Sequence, residues 1–311
     1  MLINHRSKLS TTHRFLCNFT ISLLFFVFLS IPLLNAQNMS LAAENAELEL
    51  LSDRFAFTEG PAADRKGNIF FTDQPNNHIW KYSIDGELTL YMDEAGRSNG
   101  MYFDHKGNLL TCADEKSQLW RINPDKTVEV LVDQFRGKRL NGPNDLWVDP
   151  KGGVYFTDPY YQRDYWERTE PELDQQRVYY LTPDRQEVVI VADELVKPNG
   201  IIGTPDGETL YVADIGDQKT YSYAIESNGH LSDKTGFTDM GSDGMTIDEQ
   251  GNIYLTGDGV TIFNKAGRQV EHIPVPENWT ANVTFGGSDR QTLFITASRS
   301  VYTLQMNVEG R

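Results

Sequence analysis

One pattern recurs six times along this chain and restricts its fold more than any other feature. The fullest copy runs from Leu140 to Asp158: a polar loop, a short strand, a turn at Gly152-Gly153 and a second apolar strand closing on Thr157-Asp158. Blurred copies end the strands Ile69 to Asp73, Leu109 to Asp114, Leu210 to Asp214, Ile253 to Asp258 and Leu293 to Ser298, with 40 to 56 residues between successive copies. A repeat of that size, holding about four short strands, is what a propeller blade requires. Six copies predict an all-β protein, a six-bladed β-propeller of four-stranded antiparallel blades. From about Glu47 onward the chain carries no long helical periodicity and is punctuated by Gly, Asn and Asp, in keeping with that fold.

The sixth copy ends after Val301 to Gln305 and lacks an outermost strand. Glu47 to Leu51 precedes the first copy without belonging to it, so this segment is expected to complete the last blade, closing the ring and removing two exposed sheet edges. Residues 47–311 are thus assigned to the propeller and 37–46 to a short leader. Residues 1–36 have the layout of a signal peptide: Arg6, Lys8 and Arg14, an apolar run from Phe15 to Leu34, and small residues at Ala36 and Ala43 as candidate cleavage points. Export to the periplasm or outside the cell is expected, a retained N-terminal anchor being the alternative, since the run approaches the length that spans a bilayer. Cys17 lies inside the run, which argues against a lipoprotein.

The whole chain carries a formal net charge of −16, and removing residues 1–36 takes away three basic and no acidic side chains. Such a surface disfavours nucleic acid and anionic lipid. Only Cys112 would remain after cleavage, so a large core and not disulfides must hold the domain. One connection, between Asp158 and Arg177, is too long for a simple turn. Its three Tyr and one Trp suit a binding loop or lid.

In a propeller, the innermost strand of each blade lines the central channel. Counting back 14 to 16 positions from each strand-ending residue finds Glu59, Asn99, Asn144, Asn199, Asp243 and Asn282, all with a side-chain oxygen. Asn-Gly and Asp-Gly also form ordinary turns, but Glu59 is no turn former and six such residues share one register. Carboxylate and carboxamide oxygens converging on one point suit a hard cation, Ca²⁺ foremost, with Mg²⁺ or Mn²⁺ possible. No His falls in the ring, which disfavours zinc. The chain has no Gly-x-Ser-x-Gly elbow, phosphate-binding Gly-rich loop or Cys-x-x-Cys pair.

Leu140 to Asp158, followed by Tyr160, together with Glu59-Gly60-Pro61, Pro198-Asn199-Gly200 and Ser242-Asp243-Gly244-Met245, resembles the SMP-30/gluconolactonase/LRE-like family, in particular its bacterial gluconolactonase branch. The resemblance implies a calcium-dependent lactonase with metal ligands at Glu59, Asn144, Asn199 and Asp243. The family's substrate-contacting Arg two residues before the Asn of Asn-Asp is replaced by Gly142. Metal-assisted hydrolysis of a sugar lactone follows as the expected activity, with Asp243 as base and Asp145 as a second candidate for proton transfer. Asn99 and Asn282 are expected to line the pocket, and Tyr161 and Trp166 to cover it. Two alternatives keep the fold: a hydrolase of other lactones or of phosphotriesters, and a non-catalytic propeller braced by a structural cation.

Overall fold

The computed structural model describes residues 40–311. The basic and apolar segment read as a signal peptide lies outside them. The described chain forms six four-stranded antiparallel sheets, five of which run as simple meanders from an inner strand outward. The inner strands are Thr58–Ala63, Ser98–Phe103, Leu146–Val148, Pro198–Gly203, Met245–Ile247 and Thr280–Gly286. Thr58–Ala63 packs against both Ser98–Phe103 and Thr280–Gly286, so the first blade meets the last and the propeller is closed. A small hairpin, Gln134–Phe135 with Lys138–Arg139, and two short 3-10 turns are the additions to this plan among the described residues.

The sixth sheet is completed from the other end of the chain. Glu49–Ser52 pairs antiparallel with Ser300–Gln305, Glu49 opposite Thr303 and Leu50 opposite Tyr302. Order begins before this strand: Ser40 Oγ and the Leu41 amide donate to Glu271 at 2.8 and 2.7 Å, and the Ala43 amide donates to the Gln305 carbonyl. Residues 40–46, read from sequence as part of a leader, thus lie against blades five and six.

Burial falls from the channel outward. Ile69–Asp73 and Val154–Asp158, second strands, are buried throughout, whereas Leu88–Met92 and Gln269–Ile273, outermost strands, are half-buried or exposed at every position but Ile273. This gradient explains why second strands read as continuous apolar runs: both faces are covered by neighbouring blades. Tyr155 and Tyr180, with ring centroids 4.4 Å apart, fill one such inter-blade space, and their hydroxyls donate to Gly229 O and Asp149 Oδ2.

The Thr-Asp signature that revealed the repeat has a structural cause. Thr157 Oγ1 donates to the carbonyl of Asn199 at 2.8 Å, and Thr256 Oγ1 to that of Ala281 at 2.8 Å, tying each second strand to the inner strand of the next blade. Asp158 accepts the amides of Asn141 and Gly142 at 2.9 and 2.8 Å, and Asp214 those of Val196 and Lys197 at 2.7 and 2.8 Å. Asp73 likewise accepts from Ala56 and Phe57. These carboxylates fasten the segment that enters the inner strand. The six strand-ending residues are nevertheless not equivalent. Strands end on Asp73, Asp158 and Asp214, but Leu109–Ala113, Ile253–Gly257 and Thr292–Ala297 stop one residue short of Asp114, Asp258 and Ser298. Asp258 is exposed, and Asp114 has taken another role.

Candidate functional site

Five of the six ring residues open on one cavity of about 260 Å³: Glu59, Asn99, Asn144, Asn199 and Asp243. The first four are buried, at 1 to 6% exposure, while Asp243 is partly covered. The glycine after a ring residue is there for close approach and not for a turn. A Cβ on Gly60, at φ +44°, would lie 2.0 Å from the Asn99 carbonyl oxygen, and one on Gly244 would lie 1.9 Å from Asn282 Cγ. Glycine at these positions lets neighbouring inner strands crowd together at the axis.

Hydrogen bonds fix how the side chains sit. Asn199 Nδ2 donates to Asp243 Oδ1 at 2.8 Å and to the Tyr161 hydroxyl at 3.0 Å. Its amide nitrogen thus occupied, Asn199 leaves Oδ1 buried with no protein partner, and Asn99 Oδ1 is in the same condition. A buried carbonyl oxygen without a donor costs free energy unless something else satisfies it. The Trp279 indole donates to Asp243 Oδ2 at 2.6 Å, and Glu59 Oε2 accepts from the Gly60 amide at 2.9 Å.

Burial dominates the electrostatics. It lifts Glu59 well above the usual carboxylate range, with the charge of Asp243 adding to the effect. Asp243 is pushed up to about 6 by burial, against the pull of the bonds from Trp279 and Asn199. Burial and then the charge of Asp243 raise the Tyr161 hydroxyl to about 12, so at neutral pH it keeps its proton. Among the described residues no three His, Cys, Asp or Glu side chains are grouped to hold a metal. A cation here would therefore depend on carboxamide oxygens as well as on Glu59 and Asp243. The two orphaned oxygens and the all-oxygen donor set fit a hard cation of the Ca²⁺ type.

Three residues expected at the pocket are placed elsewhere. Asp145 and Asn282 line a second cavity of about 430 Å³, bounded by residues further along the inner strands such as Met101, Ile201 and Phe285. Burial raises Asp145 to about 8, against the amides of Leu146 and Ile201, which hold it back. Asn282 still touches the first site indirectly, through Nδ2 donating to Glu59 Oε2 at 3.4 Å. Trp166 is buried between its loop and the segments at Asp114 and Gly142, its indole donating to the Asp114 carbonyl at 3.0 Å, and it does not line the cavity. It sits where a side chain at position 142 would go: a Cβ on Gly142 would lie 3.0 Å from both Trp166 Cη2 and Asp114 Oδ1.

Phe57, Gln74, Arg163, Ile215 and Trp279 also line the cavity and were not anticipated from sequence. Trp279 lies at the entry to the sixth blade, where no repeat marks it. Arg163 belongs to the long connection, whose aromatic content was the only signal.

Residues 57–299 match the SMP-30/Gluconolactonase/LRE-like region. The chain belongs to this family. It is 35% identical over 197 residues to a gluconolactonase of Zymomonas mobilis, covering 58% of this chain and 55% of that protein. It is 32% identical over 143 residues to a lactonase, drp35, of Staphylococcus aureus, covering 43% of this chain and 42% of the other. The chain thus spans about half the length of these curated relatives. The solved structure of a gluconolactonase from Xanthomonas campestris superposes with a TM-score of 0.80 at 30% identity, covering 86% of this chain and 91% of that one.

Proposed function

We propose that this protein is an exported lactonase that hydrolyses a sugar lactone of the gluconolactone type to its hydroxy acid, using a divalent cation held by Glu59, Asn144, Asn199 and Asp243. Ca²⁺ is the preferred ion, with Mg²⁺ or Mn²⁺ as substitutes. The observation that carries this reading is the pair of buried, unpartnered carboxamide oxygens, Asn99 Oδ1 and Asn199 Oδ1, in a cavity that also holds two carboxylates. The lactonases among its relatives, and the gluconolactonase whose fold it shares, supply the substrate class.

A bound divalent ion supplies Lewis acidity to the lactone carbonyl. The chain's own residues do the rest. Asp243, held on both oxygens by Asn199 and Trp279, is placed to accept a proton from attacking water. The Tyr161 hydroxyl accepts from Asn199, which leaves its own proton to donate into the cavity, toward a ring or carbonyl oxygen of the substrate. Asn99 offers a further polar contact. Asp145 lies outside the lining; its carboxylate, when ionised, adds to the effect of burial and of Asp243 in raising Glu59.

The test is a pH-stat assay of glucono-δ-lactone opening, corrected for the spontaneous rate. Turnover is expected to vanish in EDTA, return with Ca²⁺, and fall by at least about 100-fold in Asp243→Asn, the scale of losing a general base. A protein that binds the ion yet opens no gluconolactone would redirect the search to other lactones and phosphotriesters. One that binds no ion would end the cation proposal.

A further inference from the structure

Among the described residues the cavity lining contains a single cation, Arg163, with two carboxylates and four carboxamides. Its placement is built and not incidental. Arg163 Nε donates to Asp114 Oδ2 at 2.8 Å, and the Asp114 side chain is only 3% exposed. The same carboxylate accepts from the Tyr165 hydroxyl and from Gln74 Nε2, and the Asp114 backbone carbonyl accepts from Trp166. Asp114 is thus relieved of the backbone-fastening duty that Asp73, Asp158 and Asp214 perform, and instead pins the long connection at residues 163, 165 and 166. With Nε directed to Asp114, the two terminal guanidinium nitrogens have no protein acceptor among the described residues. The guanidinium carbon lies 5.5 Å from the centroid of the Tyr161 ring, which limits its freedom further.

A planar fork with two free donors suits a carboxylate or an oxyanion. Resting on the lactonase function proposed above, we propose that Arg163 binds the negative charge created when the lactone opens, first on the former carbonyl oxygen and then on the product carboxylate, and that Asp114 is the residue that positions it. Water adds through its oxygen to the carbonyl carbon, and the ring carbon–oxygen bond breaks. The ring oxygen takes up one proton to become a hydroxyl, the other proton leaves to solvent, and lactone plus water gives hydroxy carboxylate plus H⁺. The anion is absent from the substrate and present in the product, so Arg163 favours the later species along the path.

The test compares wild type with Arg163→Met, Arg163→Gln and Arg163→Lys, each checked by circular dichroism and by calorimetric titration of Ca²⁺. Arg163→Met and Arg163→Gln are expected to lower kcat about 100-fold, in line with removal of an oxyanion donor, with a smaller change in KM. Inhibition by gluconate should weaken at least about 10-fold, as for loss of a charge-assisted pair, and Arg163→Lys should fall between. Asp114→Asn should lower kcat in wild type but add nothing to Arg163→Met, the coupling expected when one residue acts through the other. Folded Met or Gln variants with kcat and gluconate inhibition within twofold of wild type would overturn the proposal. If only Arg163→Lys folds, a kcat and gluconate inhibition equal to wild type would overturn it equally. Should the wild type open no lactone, the lactonase function fails alone. Direct calorimetry with gluconate then decides for Arg163: binding lost in the variants supports it, and equal or no binding in the wild type removes it.

Discussion

At the scale of single residues, the same letter in the same repeat position performs different work. Asp158 accepts two buried backbone amides, whereas Asp258, its counterpart in the repeat, is exposed beyond the end of its strand. Asp158→Ala orphans the Asn141 and Gly142 amides and is expected to cost about 2 kcal/mol, the penalty for buried donors left unpaired. Asp258→Ala should stay within about 0.5 kcal/mol, as surface changes do. Urea denaturation of the two variants measures both. The ring residues were legible because each combines a polar side chain with a fixed distance to an apolar strand. Trp279 was not, because its bond to Asp243 joins positions 36 residues apart in different blades, and neither position announces the other.

At the scale of elements, closure of the sixth blade joins the two ends of the described chain. Glu49–Ser52 covers the edge of Ser300–Gln305, and the 40–46 segment adds bonds to Glu271, Gln305 and Asn307. A protein beginning at residue 53 loses these contacts and exposes a long strand edge, a template for pairing between chains. Its melting temperature is expected to drop by about 10 °C, equivalent to roughly 3 kcal/mol for a domain of this size, with concentration-dependent aggregation by light scattering. The need for this strand was visible as an absence in the sixth repeat. Its register was not, since Glu49 meets Thr303 only after a bulge between Leu50 and Ser52 that no local pattern dictates.

At the scale of the whole molecule, the channel gathers carboxylates that burial makes reluctant to ionise. Glu59, Asp145 and Asp243 all bind protons more tightly in the folded protein than in an unfolded chain, Asp243 to about 6 and Asp145 to about 8. Their stabilising contribution is fully present below the unfolded carboxylate range, near pH 4, and is lost as pH rises through the folded values. In EDTA the urea midpoint is therefore expected to fall between about pH 5 and pH 8. The cation proposed for this site would bind the ionised carboxylates, so Ca²⁺ should raise the midpoint more at pH 8 than at pH 5. Glu59→Gln should flatten the EDTA profile and abolish most of the calcium effect. A midpoint indifferent to pH and to Ca²⁺ would show that these groups are neither strained by burial nor joined by an ion.

The sequence by itself determined the number of blades, the need for a strand from the other end of the chain, and the six polar positions at the axis. All three are periodic: each depends on apolar alternation, turn residues and spacing that repeat in the chain. Only the tertiary structure decided which ring residues share a cavity, sending Asn282 and the adjacent Asp145 toward another. It also decided that Trp166 packs against Asp114 and Gly142 while Arg163 reaches the site. Those outcomes depend on how adjacent inner strands crowd at the axis and on the path of one irregular connection anchored by Asp114. Neither repeats, so neither leaves a period to read.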